Sequence, residues 1–158
     1  MKTIIANILV AIMLMMTSIN AQAQKNPFDK FSDYEDVTYI FISEAMLKLV
    51  GTTAIPNIDG IDINEIGSKL KSIQIITSEK HTKNSLKSEA MSIIKKDSYE
   101  KLIQVSEKDN KVDIYFKDGK KNSIIVMVND EKDDTVLIVF SGEFGMANIA
   151  KMLEGRKK

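Results

Sequence analysis

KVDIYFKDGKKNSIIVMVNDEKDDTVLIVFS, residues 111–141, decides the fold. Its first seven residues alternate: Val112, Ile114 and Phe116 face one side, and Lys111, Asp113 and Lys117 the other. That is the pattern of a strand with one wet face. Ile124 to Val128 and Val136 to Phe140 do not alternate, so these strands are apolar on both faces and need cover on both. The links are short, Asp118-Gly119 in one case and Asn129 to Asp134 in the other. Links of that length join antiparallel neighbours. Tyr99 to Ser106, reaching Lys111 through Asp109-Asn110, adds a fourth strand to the meander.

Upstream the pattern mixes strands with helices. Val37 to Ile42 and Ser72 to Thr77 are rich in β-branched and aromatic residues and read as strands. Ser43 caps a short helix, Glu44 to Val50, with Met46, Leu47 and Val50 inward and Gly51 closing it. Asp62 and Glu65 form a capping box for a helix carrying Ile63, Ile66 and Leu70. Ser78 caps the longest helix, Glu79 to Lys96, whose stripe is Leu86, Ala90, Ile93 and Ile94. A last helix, Met146 to Leu153, turns Met146, Ile149, Ala150 and Leu153 inward. The order β-α-α-β-α-β-β-β-β-α predicts an α+β two-layer sandwich, a mostly antiparallel sheet of about six strands with helices packed on one face.

Composition narrows the function classes. The chain has 158 residues, 44% hydrophobic and 28% charged, with 22 basic and 22 acidic residues. That balance suits one folded domain and leaves no electrostatic footprint for nucleic acid. Arg156 is the single arginine, so bidentate phosphate clamps are not expected. The absence of cysteine excludes disulfides, thiol nucleophiles, thiolate metal sites and a lipidated anchor. Lys2, the apolar stretch Ile4 to Ile19 and Ala21-Gln22-Ala23 form a cleavable signal peptide pattern, with Gln24 as the new N-terminus. The expected organisation is a signal peptide over 1–23, an arm over 24–36 pinned by Phe28 and Phe31, one α+β domain over 37–154 and a basic tail over 155–158. The expected location is periplasmic or secreted, with no transmembrane segment after cleavage.

Several segments taken in order resemble a known family. They are Phe28-Asp29-Lys30-Phe31, Val37 to Ser43 running into Ala45-Met46-Leu47, Leu70 to Ser78, Tyr99 to Leu102, and Leu137 to Phe144. Together they are similar to the small exported proteins of Bacteroidota catalogued as domain of unknown function 4252. The resemblance implies export and a single domain, and it brings no catalytic residues with it. Some relatives are lipoproteins, and a chain without cysteine cannot share that anchor.

The chemistry-bearing residues are sparse. His81, the single histidine, has no second His or Cys to join it in a metal site. Asn57, Asp59, Asp62 and Asn64 crowd one loop, but Gly60 is out of register for a calcium loop. Asp130, Glu131, Asp133 and Asp134 read as a solvated hairpin tip. Ser141 lacks the glycines of a nucleophile elbow. No catalytic, cofactor or metal residues are therefore assigned. The candidate site is the second face of the doubly apolar strands: Ile125, Met127, Leu137 and Val139, with Tyr39 and Phe41. Either the helices and the Phe28/Phe31 arm cover that face, or it is left for a protein, an apolar small molecule or a second copy of the chain. The expected function is a non-enzymatic exported binding domain of the cell envelope. The alternatives are a small hydrolase with an unlocated carboxylate pair and a purely structural envelope protein.

Overall fold

The computed structural model describes residues 26–50, 64–78, 85–119, 122–130 and 134–154. Asn26 opens the described chain by accepting the N–H of Phe28 on its side-chain oxygen at 3.0 Å. Pro27 then starts a 3-10 turn, Pro27–Asp33, where its fixed φ suits a first helical position. Residues three apart eclipse in a 3-10 turn, so Phe28 and Phe31 enter the interior together, with ring centres 6.3 Å apart. The elements that follow are β1 (Val37–Ser43), α1 (Glu44–Val50), α2 (Asn64–Gly67), β2 (Leu70–Ser78) and α3 (Leu86–Lys96). Then come β3 (Glu100–Ser106), β4 (Asn110–Lys117), β5 (Asn122–Asp130), β6 (Thr135–Gly142) and α4 (Met146–Glu154).

The six strands form one sheet in the order β1-β2-β6-β5-β4-β3, and every neighbouring pair is antiparallel. The meander β3 to β6 is as the short links require. Its outer strand β6 then takes β2, and β2 takes β1, so β1 and β3 are the two edges.

The α+β sandwich with a six-stranded antiparallel sheet stands as expected, and the distribution of the helices is where it differs. On one face Ile114, Phe116, Ile124, Val126, Ile138 and Phe140 pack with Leu47 of α1, Ile66 of α2, Phe144, and Ile149 and Met152 of α4. On the opposite face Ile76, Ile125, Met127, Leu137 and Val139 pack with Phe28, Phe31 and the α3 residues Leu86, Ala90, Ile93 and Ile94. The reason is the doubly apolar pattern of β5 and β6. Each fully buried large side chain is worth about 1.5–3 kcal/mol, so leaving either face wet would forfeit several of them.

The helix ends carry their own logic. Ser85, not Ser78, caps α3, accepting the Ser88 N–H at 3.2 Å. Ser78 instead ends β2, opposite Val37 and Thr135, and residues 79–84 lie outside the described residues. α3 closes through Ser98 at φ 57°. There Tyr99 N–H reaches Ile94 O at 3.0 Å and Ser98 N–H reaches Lys95 O at 3.3 Å, the paired bonds of a Schellman motif. Among the described side chains of α4, Ile149 and Met152 are buried while Met146 and Ala150 face solvent, and the side chain of Leu153, expected inward, lies outside the described ones. Gly142 allows a close approach of two backbones: a Cβ there would collide with Lys69 O, which accepts the Glu143 N–H at 2.9 Å.

Candidate functional site

The register places all six residues of the expected site on one face, in two adjacent rows. One row runs Phe41, Gln74, Val139, Ile125 and the next runs Tyr39, Ile76, Leu137, Met127. The arm and α3 lie over that face, and Ile125, Met127, Leu137 and Val139 are fully buried beneath them. These four are core, and the idea of an open apolar face made of them is corrected. The 3-10 spacing of Phe28 and Phe31 explains the cover, because it turns two rings into the sheet from a seven-residue turn.

Polar contacts fasten the arm. Gln74 is buried, and its Nε2 donates to Asp29 Oδ1 at 2.6 Å and to the Tyr39 hydroxyl at 2.8 Å. Burial first, and then the Asp29 charge, push the Tyr39 hydroxyl above its ordinary range, against the lowering effect of Gln74. Glu89 on α3 accepts from Lys30 Nζ and from the Tyr34 hydroxyl, each at 2.6 Å. The Lys30 bond, with Tyr34 second, holds the Glu89 carboxyl below its ordinary range. At one end of the same face Ser43, Ser72, Ser141 and Ser123 form a row across four strands. Asn26 reaches that row, with Nδ2 3.5 Å from Ser141 Oγ.

With the centre of both faces covered, four of the five exposed large apolar side chains among the described residues lie on β1 or on the helix that follows it, the fifth being Met146. Ile40 is 46% exposed and Phe41 55%, and the helix that follows leaves Met46 at 47% and Leu49 at 80%. β1 pairs with β2 alone, so the outer backbone groups of Val37–Ser43 face no strand among the described residues. No residue of β1 is charged, and its pairing with β2 runs without a bulge. Sequence reasoning found Phe41 and missed Ile40, Met46 and Leu49. Met46, expected inward, is exposed, and Leu47 is buried. The signal was present in α1, where Met46, Leu47 and Leu49 spread around more of the helix than one packing face can bury; the side chain of Val50, expected inward, lies outside the described ones. At the start of α1, Lys48 and then Lys71 hold Glu44 below the ordinary carboxylate range, in a solvent-exposed cluster that contributes little to stability.

The opposite edge carries the buried carboxylate of the described residues. Asp113 sits under Lys101 Nζ at 2.9 Å and Lys111 Nζ at 3.5 Å. The bond to Asp113 raises the Lys101 pKa. Among the described residues no group of three or more His, Asp or Glu stands close enough to hold a metal ion, and no helix is long and apolar enough to cross a membrane. His81, Asn57, Asp59, Asp62, Glu131 and Asp133 lie outside the described residues.

A family model described as "Domain of unknown function (DUF4252)" matches residues 31–152, and the chain belongs to that family. No curated protein and no solved structure gives a significant match.

Proposed function

Taking membership of that family as the premise, we propose that this protein is an exported, non-enzymatic interaction module that docks another polypeptide at its β1 edge. The observation that carries the reading is the uncharged β1 strand, whose outer edge pairs with no strand among the described residues, with Ile40 and Phe41 exposed on opposite faces. An unpaired strand edge is a template for strand addition: backbone bonds give affinity, and alternate side chains give specificity. Met46 and Leu49, on the helix that directly follows, enlarge the apolar target. Export is supported by the signal pattern of Lys2 to Ala23, which directs the mature chain to the periplasm or beyond. A non-catalytic role is supported by the carboxylates themselves. Glu44 and Glu89 are held low by lysine partners, which suits ion pairing and not general acid catalysis at neutral pH.

The test is a photo-crosslinking residue placed at Phe41 in cells that export the protein, with Gln104 on β3 as the control. Docking at β1 gives protein adducts from position 41 and none from position 104. Silence at position 41, or equal labelling at both edges, overturns the reading.

A further inference from the structure

The geometry points to a covalent modification site in the turn between β4 and β5. The peptide bond Asp118-Gly119 rearranges to an isoaspartyl linkage, through a cyclic imide and with water as the co-reactant. The site is independent of the docking proposed at β1.

The hydrogen bonds of the turn place the reacting groups. Gly119 N–H donates to Asp118 Oδ1 at 3.0 Å, so the amide nitrogen lies against the side-chain carboxyl of the residue before it. Holding two reacting groups together in this way is what makes an intramolecular step fast. The same N–H also donates to Asn122 Oδ1 at 2.9 Å. Asn122 in turn donates from Nδ2 to Phe144 O, so a side chain anchored on the turn between β6 and α4 holds the Gly119 nitrogen in place. Asp118 and Gly119 are both exposed, which gives water access to the imide. Glycine has no Cβ, so no side chain crowds the nitrogen as the ring closes. Among the described residues Asp118 is the one aspartate that precedes a glycine, and Asp59-Gly60 lies outside them.

The step needs no oxidant or reductant. The Gly119 nitrogen attacks Cγ of Asp118. The N–Cγ bond forms, a Cγ–O bond breaks, and the departing hydroxyl takes the amide proton and leaves as water. Hydrolysis then returns one water. Opening at Cγ restores the aspartate. Opening at the main-chain carbonyl carbon leaves Gly119 joined through Cγ, with a free carboxylate on the α-carbon. The product keeps the mass of the chain and carries one extra methylene in the main chain between β4 and β5. That atom moves Gly119 away from Asn122 and so loosens the tie between the β4–β5 turn and the β6–α4 turn.

The test ages the full exported chain at neutral pH beside a synthetic peptide of residues 116–122. Electron-transfer fragmentation distinguishes the two isomers of equal mass. Isoaspartate at position 118 is expected to accumulate in the folded chain at least as fast as in the peptide, preceded by a species lighter by one water. Asp118→Glu keeps the charge but would have to close a six-membered ring, and is expected to give no isomer at that position. Accumulation severalfold slower in the folded chain than in the peptide would mean that the turn shields the bond, and overturns the proposal. So does a folded chain in which position 118 stays unaltered.

Discussion

The two edges of the sheet are built on opposite rules. β3 carries Glu100 and Lys101, breaks its register with a bulge between Lys101 and Ile103, and presents Gln104 and Ser106 to solvent. Lys101 also lies over the buried Asp113 and the Tyr115 ring. These are the devices by which proteins keep an edge from recruiting another strand. β1 has none of them: seven residues, no charge, regular pairing and two large apolar side chains in solvent. Among the described residues the same fold therefore carries these devices at one edge and lacks them at the other, so the difference belongs to the strands and not to the architecture.

The largest expected effect separates the covered centre from the open edge with a single residue type. Phe31→Ala, which removes a buried ring of the arm, should cost about 3–5 kcal/mol in denaturant unfolding. Phe41→Ala should stay within about 1 kcal/mol, since Phe41 is already 55% exposed. Equal costs would mean that β1 is packed, and the contrast would fail.

A second change attacks the protected edge. Replacing Glu100 and Lys101 together by Val removes both charges from β3 and the nearest cation from Asp113. Stability should fall by about 1–2 kcal/mol, and concentration-dependent light scattering should appear as β3 becomes adhesive. A double variant that stays monodisperse would show that the charges are not what guards this edge.

A smaller effect sits at the junction from α3 into β3. Ser98 holds a left-handed conformation at φ 57°, so Ser98→Gly should raise stability by up to about 1 kcal/mol in thermal unfolding.

The smallest is a pH effect on the arm. Glu89 is held below its ordinary value of 4.5 by Lys30 and Tyr34. Its contribution to stability is present above 4.5 and is lost as pH falls through the lowered folded value. Tyr34, raised above 10.0 chiefly by its bond to Glu89, behaves the other way: its contribution is present below 10.0 and is lost as pH rises through the raised value. Amide exchange at Phe31 and Tyr34 should quicken on acidification while the centre of β5 is unchanged, and Glu89→Gln should flatten the acid limb. If β5 quickens with the arm, the clasp is not a local fastening.

The alternation of Val112, Ile114 and Phe116 was legible because a strand's side-chain period is local. So were the two-sided runs of β5 and β6, the antiparallel links between them, and the order of strands and helices along the chain. The two Phe residues of the arm were legible as anchors. The membership of Ile125, Met127, Leu137 and Val139 in one face was legible too, since parity along each strand sets it. Their state was not. Whether that face is wet depends on what lies above it, and the arm reaches it from about a hundred residues away in sequence.

β1 shows the limit best. Val-Thr-Tyr-Ile-Phe-Ile has the composition of a central strand, yet it stands at the edge. By itself the sequence determined which segments become strands and helices, which residues share a face, and that both faces of the central strands need cover. Only the tertiary structure decided that β2 pairs with β6, that α3 and the arm fill the second face, and that β1 pairs with β2 alone among the described strands. The reason is that strand order and cover are set by contacts between distant segments, which a local pattern does not contain.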